Sequence, residues 1–206
     1  MRIEIRNNSV LIDGYVNAVA RDSKPIPSRE GRFIEQVVPK TFQRALDKAK
    51  NVDLLLNHNE NRKLGSTTDG NLELFEDNIG LRAICTVTDS EVIKKAKNNE
   101  LRGWSFGFYV DKDRWEESSD GIKRRYLEEI ELTEVSIIDN TKSPAYIATS
   151  IETRDDKEVL HESRSEDFKA VIEDISEKKE AKNSMDYETS KKYLNNKIQK
   201  LKRGLE

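Results

Sequence analysis

Long apolar runs are missing from this sequence: none approaches the roughly 20 residues that a membrane-crossing helix needs, which excludes insertion by such a helix. Cysteine is nearly missing as well. The single Cys85 cannot close an internal disulfide, and no uninterrupted apolar stretch follows Met1-Arg2-Ile3-Glu4 to make a signal peptide, so a soluble protein in a reducing compartment is expected. Positive charge is not in excess: 36 Lys and Arg stand against 39 Asp and Glu, a formal net charge of −3. No overall basic field is available for a phosphate backbone, which argues against nucleic acid as a partner. Histidine is scarce too, with two residues, so a histidine base in this chain is His58 or His161.

What is abundant is charge of both signs, at 36% of residues against 35% hydrophobic, too little apolar content for the whole length to be packed. A chain of 206 residues has room for one domain with a core and an appendage. The composition changes near residue 150. Up to there, short apolar runs alternate with turn signals, the pattern of a mixed domain rich in strands. From 151 to 206 there are 14 acidic and 13 basic residues, no proline, and no glycine before Gly204. This segment reads as a charged C-terminal tail, helical or disordered. Phe168, Val171, Ile172 and Ile175 fall at helical spacing, as do Leu194, Ile198 and Leu201, so two short amphipathic helices are expected there.

Within the first 150 residues, Arg2 to Ala20 reads as a hairpin turning at Asn7-Asn8, with Val10, Ile12 and Val16 in the core and a bulge or bend at Gly14. Asp22 to Arg32, with Pro25, Pro27 and Gly31, reads as a loop. A helix follows Pro39 because Phe42, Ala45, Leu46 and Ala49 share one face. Val52 to Leu56 is a buried strand that delivers Asn57-His58 to a polar loop from Asn59 to Lys63. Leu72 to Phe75 and Leu81 to Val87 form a hairpin that holds Cys85 as a small core residue. Thr88 and Glu91 have capping-box spacing at the head of a helix running through Lys97.

Gly103-Trp104-Ser105-Phe106-Gly107 fits the G-x-S-x-G pattern of the α/β-hydrolase nucleophile elbow, but that reading fails. The elbow needs a helix directly after the serine, whereas Phe108 to Trp115 is extended, and the histidine that should follow the acid is found only in the charged tail. As a strand, the segment puts Trp104, Phe106, Phe108 and Val110 on one face and Ser105, Gly107 and Tyr109 on the other. The aromatic face packs, and the serine face is expected to be open. Glycines at 103 and 107 leave room for another backbone to approach the hydroxyl. The plain alternative is a strand whose glycines serve only close packing.

His58 ends an apolar strand at the edge of a polar loop, a place where a scaffold can hold a base, and imidazole accepts a proton near neutral pH. In the strand from Glu128 to Asn140, alternation places Ile130, Leu132, Glu134, Ser136 and Ile138 together. A carboxylate among core residues costs several kcal/mol unless paired. An imidazolium is such a partner; Arg124 or Arg125 would serve equally.

Asn57-His58 with Leu64-Gly65, then Gly80-Leu81, Gly103-Trp104-Ser105-Phe106-Gly107-Phe108, Leu132-Thr133-Glu134-Val135-Ser136-Ile137 and Pro144-Ala145 form an ordered set. Over about residues 10 to 150 this set resembles the prohead (head maturation) serine proteases of tailed bacteriophages. The resemblance implies an α+β domain over residues 1–150, mainly an antiparallel β-barrel surrounded by helices and related to herpesvirus assemblin. It also implies a catalytic group of His58, Ser105 and Glu134, an oxyanion hole of backbone N–H groups, and no metal or cofactor. One departure is Lys40-Thr41-Phe42, where the family often has Gly-Ala-Phe. The implied function is a serine endopeptidase that cleaves scaffold or capsid-protein extensions, and itself, within the immature phage head in the host cytoplasm. The implied partners are the major capsid protein and scaffold segments, with a homo-oligomer compatible, and neither membrane nor nucleic acid. The rival readings are a catalytically inactive scaffold or capsid-assembly protein, suggested by the charged tail, and more distantly an esterase-like hydrolase.

Overall fold

The computed structural model describes residues 1–28, 31–117, 121–141, 152–154, 157–163 and 170–176. Its first strands follow from strict alternation. In β1 (Arg2–Ile5) and β2 (Val10–Ala18), Ile3, Ile5, Val10 and Ile12 have at most 1% of their surface exposed, and the turn between the strands is closed by the Arg6 N–H donating to the Ser9 carbonyl at 2.9 Å. The hairpin of β7 (Leu72–Glu76) and β8 (Gly80–Val87) joins β2 through β8, and β13 (Val171–Asp174) adds to β1 in parallel. The first sheet therefore runs β13-β1-β2-β8-β7.

The second sheet is organised by two long antiparallel strands, β9 (Leu101–Glu116) and β10 (Lys123–Asp139). The free edge of β10 takes two parallel partners in succession: β4 (Gly31–Val37) beside Lys123 to Leu127, then β5 (Asp53–Leu56) beside Glu134 to Ile137. Outside these lie β3 (Ile26–Ser28) on β4 and β6 (Asn59–Ser66) on β5. On the free edge of β9 lies β12 (Lys157–Ser163), paired in turn with β11 (Glu152–Arg154).

One apolar core spans both sheets. The Phe42 ring meets the Phe106 ring edge-on at 5.4 Å, and the Phe106 ring stacks on that of Phe108 at 4.9 Å, so the aromatic face of β9 is packed as its alternation requires. Gly14 lets the Trp104 indole approach β2: a Cβ there would lie 2.9 Å from the indole nitrogen. Phe42 arrives on helix α1 (Thr41–Lys48), whose first turn is capped from a distance, the Glu76 carboxylate accepting from the backbone N–H groups of Lys40 and Gln43. Lys40 itself sits at φ +72°, the left-handed conformation that glycine adopts most readily. Helix α2 (Ser90–Lys97) buries Val92 and Ala96.

Several expectations are corrected. The described strands form two open sheets with no closed barrel, and the described helices are α1 and α2, too few to surround it. The helical stripe at 168–175 contains β13, because Val171 and Ile172 are β-branched and the free edge of β1 offers unpaired backbone groups. Backbone pairing likewise converts parts of two expected loops: Asp22 to Arg32 contains β3 and the start of β4, and Asn59 to Lys63 belongs to β6. Helix α2 is capped by Asp89, whose carboxylate accepts from Glu91 and Val92, rather than by Thr88. The bulge in β2 falls between Tyr15 and Asn17 rather than at Gly14. The stripe at Leu194, Ile198 and Leu201 lies outside the described residues, and no described helix is long and apolar enough to cross a membrane.

Candidate active site

Three neighbouring strands, β9, β10 and β5, carry the site. Cross-strand partners in an antiparallel ladder share a face. Leu132 is opposite Phe108, so it belongs to the packed aromatic face; regular pairing would then set Glu134 opposite Phe106 on that same face. The register instead slips between Leu132 and Glu134, placing Glu134 opposite Gly107 and Ser136 opposite Ser105. This bulge at Thr133 moves both residues onto the serine face. The sequence expectation that Glu134 continues the Ile130–Leu132 face is corrected by that one inserted residue.

His58 is delivered by a tight turn. Leu56 pairs with Asn59, leaving Asn57 and His58 as a two-residue hairpin connection, and both have φ +58°. Positive φ at both central positions defines the type I′ turn, which suits asparagine and strains histidine by roughly 1–2 kcal/mol. Tertiary hydrogen bonds hold that conformation: the Asn57 N–H donates to the Ile137 carbonyl at 3.0 Å, its Oδ1 accepts from the Asp139 N–H at 3.1 Å, and the His58 N–H donates to Ser136 Oγ at 3.0 Å.

Held this way, the imidazole bridges the other two strands. His58 Nε2 lies 2.7 Å from Ser105 Oγ, and His58 Nδ1 lies 2.6 Å from Glu134 Oε1. An ionised carboxylate can only accept, so the Nδ1 proton points to Glu134 and the lone pair on Nε2 is left to accept from the serine hydroxyl. Glu134 Oε2 accepts from the Ser136 hydroxyl at 2.6 Å. Both carboxylate oxygens are thus satisfied, which is what permits a side chain only 7% exposed to remain in this position. The alternative partners are engaged elsewhere: Arg124 meets Asp22, and Arg125 meets Glu35 and Asp113.

The three sequence candidates therefore converge. Ser136 joins them with no role assigned from sequence, although its position two residues after Glu134 was a legible signal that the two share a face. The outer support was not legible. Asp139 receives the Lys95 ammonium at 2.9 Å and the Thr141 hydroxyl at 2.5 Å, coupling α2 to the end of β10 where the His58 turn is fastened. Burial works to raise the Asp139 carboxyl, but hydrogen bonds from Thr141, Lys95 and Asn57 outweigh it and hold the pKa at about 2. Cys85 takes no part: it is buried in β8, and desolvation pushes its thiol up to about 12.

The serine face is closed in this structure. Ser105 is 0% exposed, contrary to the open face expected from alternation. Beside it, where the charged composition of the tail suggested solvation, β12 runs along β9 with Ser163 directly opposite Ser105.

The sequence model of the caudovirus prohead serine protease family matches residues 1–163, beyond the expected boundary near 150. Among curated proteins, the prohead protease of Escherichia phage T5 is 27% identical over 155 residues, covering 74% of this chain and 69% of the relative. No solved structure matches the chain at a significant level.

Proposed function

We propose, starting from the fact that this chain belongs to the caudovirus prohead serine protease family, that it is a serine endopeptidase with Ser105 as nucleophile, His58 as general base and Glu134 as the acid that orients it. The observation carrying this reading is the unbroken run of short contacts, 2.7 Å from Ser105 to His58 and 2.6 Å from His58 to Glu134. Ser105 Oγ attacks a peptide carbonyl carbon while its proton passes to His58 Nε2. The imidazolium so formed is stabilised by Glu134 and then protonates the departing amine. Water next attacks the acyl-enzyme, His58 again taking the proton, and the carboxylic acid product leaves with Ser105 restored.

Ser136 serves as a positioning residue. Its hydroxyl accepts from the His58 backbone and donates to Glu134, tying the turn that carries the base to the acid that orients it. Residues 1 to about 150 constitute the catalytic domain, and residues 151–206 a charged extension, parts of which add strands to it. The substrates are scaffold or capsid-protein extensions within the immature head, and the chain itself; confinement in such a shell raises local concentration and makes weak binding sufficient.

The burial of Ser105 favours one other reading, an inactive assembly protein. Intact-mass spectra of the purified chain over time separate the two. Fragments that accumulate with the parent chain and are absent with Ser105→Ala support the protease, with a loss of several orders of magnitude expected. An unchanged mass, alone and with a capsid-protein extension added, that persists in a chain whose β9 edge beside Ser105 has been freed would reverse the conclusion.

A further inference from the structure

The edge of β9 beside Ser105 is a backbone docking surface, and the chain fills it with its own segment. β12 pairs antiparallel with β9 at Leu160↔Phe108, His161↔Gly107, Glu162↔Phe106 and Ser163↔Ser105, so its described contact with β9 ends at the proposed nucleophile. The other edge of β9 is committed to β10 along almost its whole length. An extended peptide that adds to β9 near the hydroxyl must therefore enter where β12 lies. A sheet edge offers a row of N–H and C=O groups to any extended backbone, the general basis of peptide capture by strand addition.

Burial and chemistry agree on the consequence. A hydroxyl that is 0% exposed cannot meet a peptide carbonyl, although the imidazole and carboxylate it needs are already aligned. The catalytic group is assembled and access is closed. β11 pairs with the first residues of β12, Lys157 to Val159, and among the described residues no strand pairs with Leu160 to Ser163 on the side away from β9. We infer that residues 157–163 are an in-chain occupant of the substrate edge, and that the chain becomes active when this strand leaves β9 and an extended segment of a capsid or scaffold protein replaces it. The inference rests on the reading of Ser105 as nucleophile.

Proline supplies the test. Of two successive N–H groups in a strand, one faces each neighbour, so His161→Pro with Glu162→Pro removes a donor to β9 whichever residue provides it, and spares the β11 pairing. Two readouts use the full chain. In a Ser105→Ala background, hydrogen exchange of the Ser105–Phe108 amides is expected to be slow in the parent and faster in the proline variant, with β1, β2 and β8 unchanged. In the Ser105 background, labelling of Ser105 by a fluorophosphonate is expected to accelerate about 10- to 1,000-fold, the range for opening a state populated at roughly 0.1–10%. A synthetic peptide with the sequence of residues 157–163 should then slow labelling of the variant again.

Equal labelling of parent and variant, or rapid exchange at Ser105–Phe108 in the parent, overturns the occupant role and leaves the nucleophile standing. Absence of labelling in a variant whose β9 amides have become exchangeable overturns the nucleophile itself. Should the double substitution loosen β1, β2 and β8, the single His161→Pro and Glu162→Pro chains make the same comparison, since one of them must break a β9 pair.

Discussion

At its outer end the β9–β10 ladder carries Lys112, Asp113, Arg114, Arg125 and Glu128, joined by ion pairs such as Arg125 to Asp113 at 2.7 Å and Lys112 to Glu128 at 2.8 Å, with Trp115 47% exposed above them. At its inner end the same two strands carry Ser105, Glu134, Ser136 and Asp139, each at most 6% exposed. Lys112 and Arg114 keep much of their hydration, so the Lys112–Glu128 pair contributes on the order of 0–1 kcal/mol, whereas Arg125 is more enclosed. The inner groups have given up water. Removing one partner there strands another, at a cost of several kcal/mol or of the reaction. Two ends of one ladder thus use similar residue types for different ends: solubility and edge protection outside, a fixed hydrogen-bond network inside.

The contrast can be broken first at Glu134. Glu134→Gln keeps the shape but offers an amide that can donate to Nδ1 and so favours the wrong tautomer; a loss on the order of 10³- to 10⁴-fold in the rate of the proposed self-cleavage is expected from intact-mass time courses, with the fold retained. A smaller effect is expected at Ser136. Ser136→Ala removes the hydroxyl that accepts from the His58 N–H and donates to Glu134 Oε2, and a fall of about 10- to 100-fold in kcat with KM little changed is expected, partly rescued by Ser136→Thr. A purely structural role would lower stability without that separation of kcat from KM.

Asp139 sharpens the contrast through pH. Its folded pKa of about 2 lies below the ordinary carboxylate value of 3.8, so the stabilisation is complete above that ordinary value and is lost as pH falls from about 4 through about 2. Its share is roughly 2 kcal/mol. Urea unfolding at several pH values is expected to show a shallower slope over this window for Asp139→Asn than for the parent. The smallest effect belongs to the outer end: Lys112→Ala should lower stability by no more than about 1 kcal/mol, given its exposed link to Glu128, and leave labelling of Ser105 unchanged. A change in labelling there would show the two ends to be coupled.

The parts of the fold that sequence made legible are those governed by local period. The alternation of β1, β2, β8 and β9 and the apolar face of α1 follow from residues two or four apart, and these elements lie where the pattern places them. β13 and β12 were not legible, because their partners are the free edges of β1 and β9, far away in the chain, and charged composition between them suggests solvation. The convergence of His58, Ser105 and Glu134 lies between these cases. Each residue stood out singly, by its scarcity, its flanking glycines or its apolar neighbours.

By itself the sequence determined which hydroxyl, which imidazole and which carboxylate are available, and that each sits on or just beyond a strand, since scarcity and alternation are properties of the chain alone. Only the tertiary structure decided that they face one another. The bulge at Thr133 reverses the face that Glu134 and Ser136 would otherwise occupy, the turn at Asn57-His58 keeps two positive φ values through bonds to β10, and β12 closes the edge beside Ser105. The physical reason is common to all three: the face of a strand residue and the cover over an edge depend on register with a partner strand, and register is fixed by pairing across the sheet rather than by neighbours along the chain.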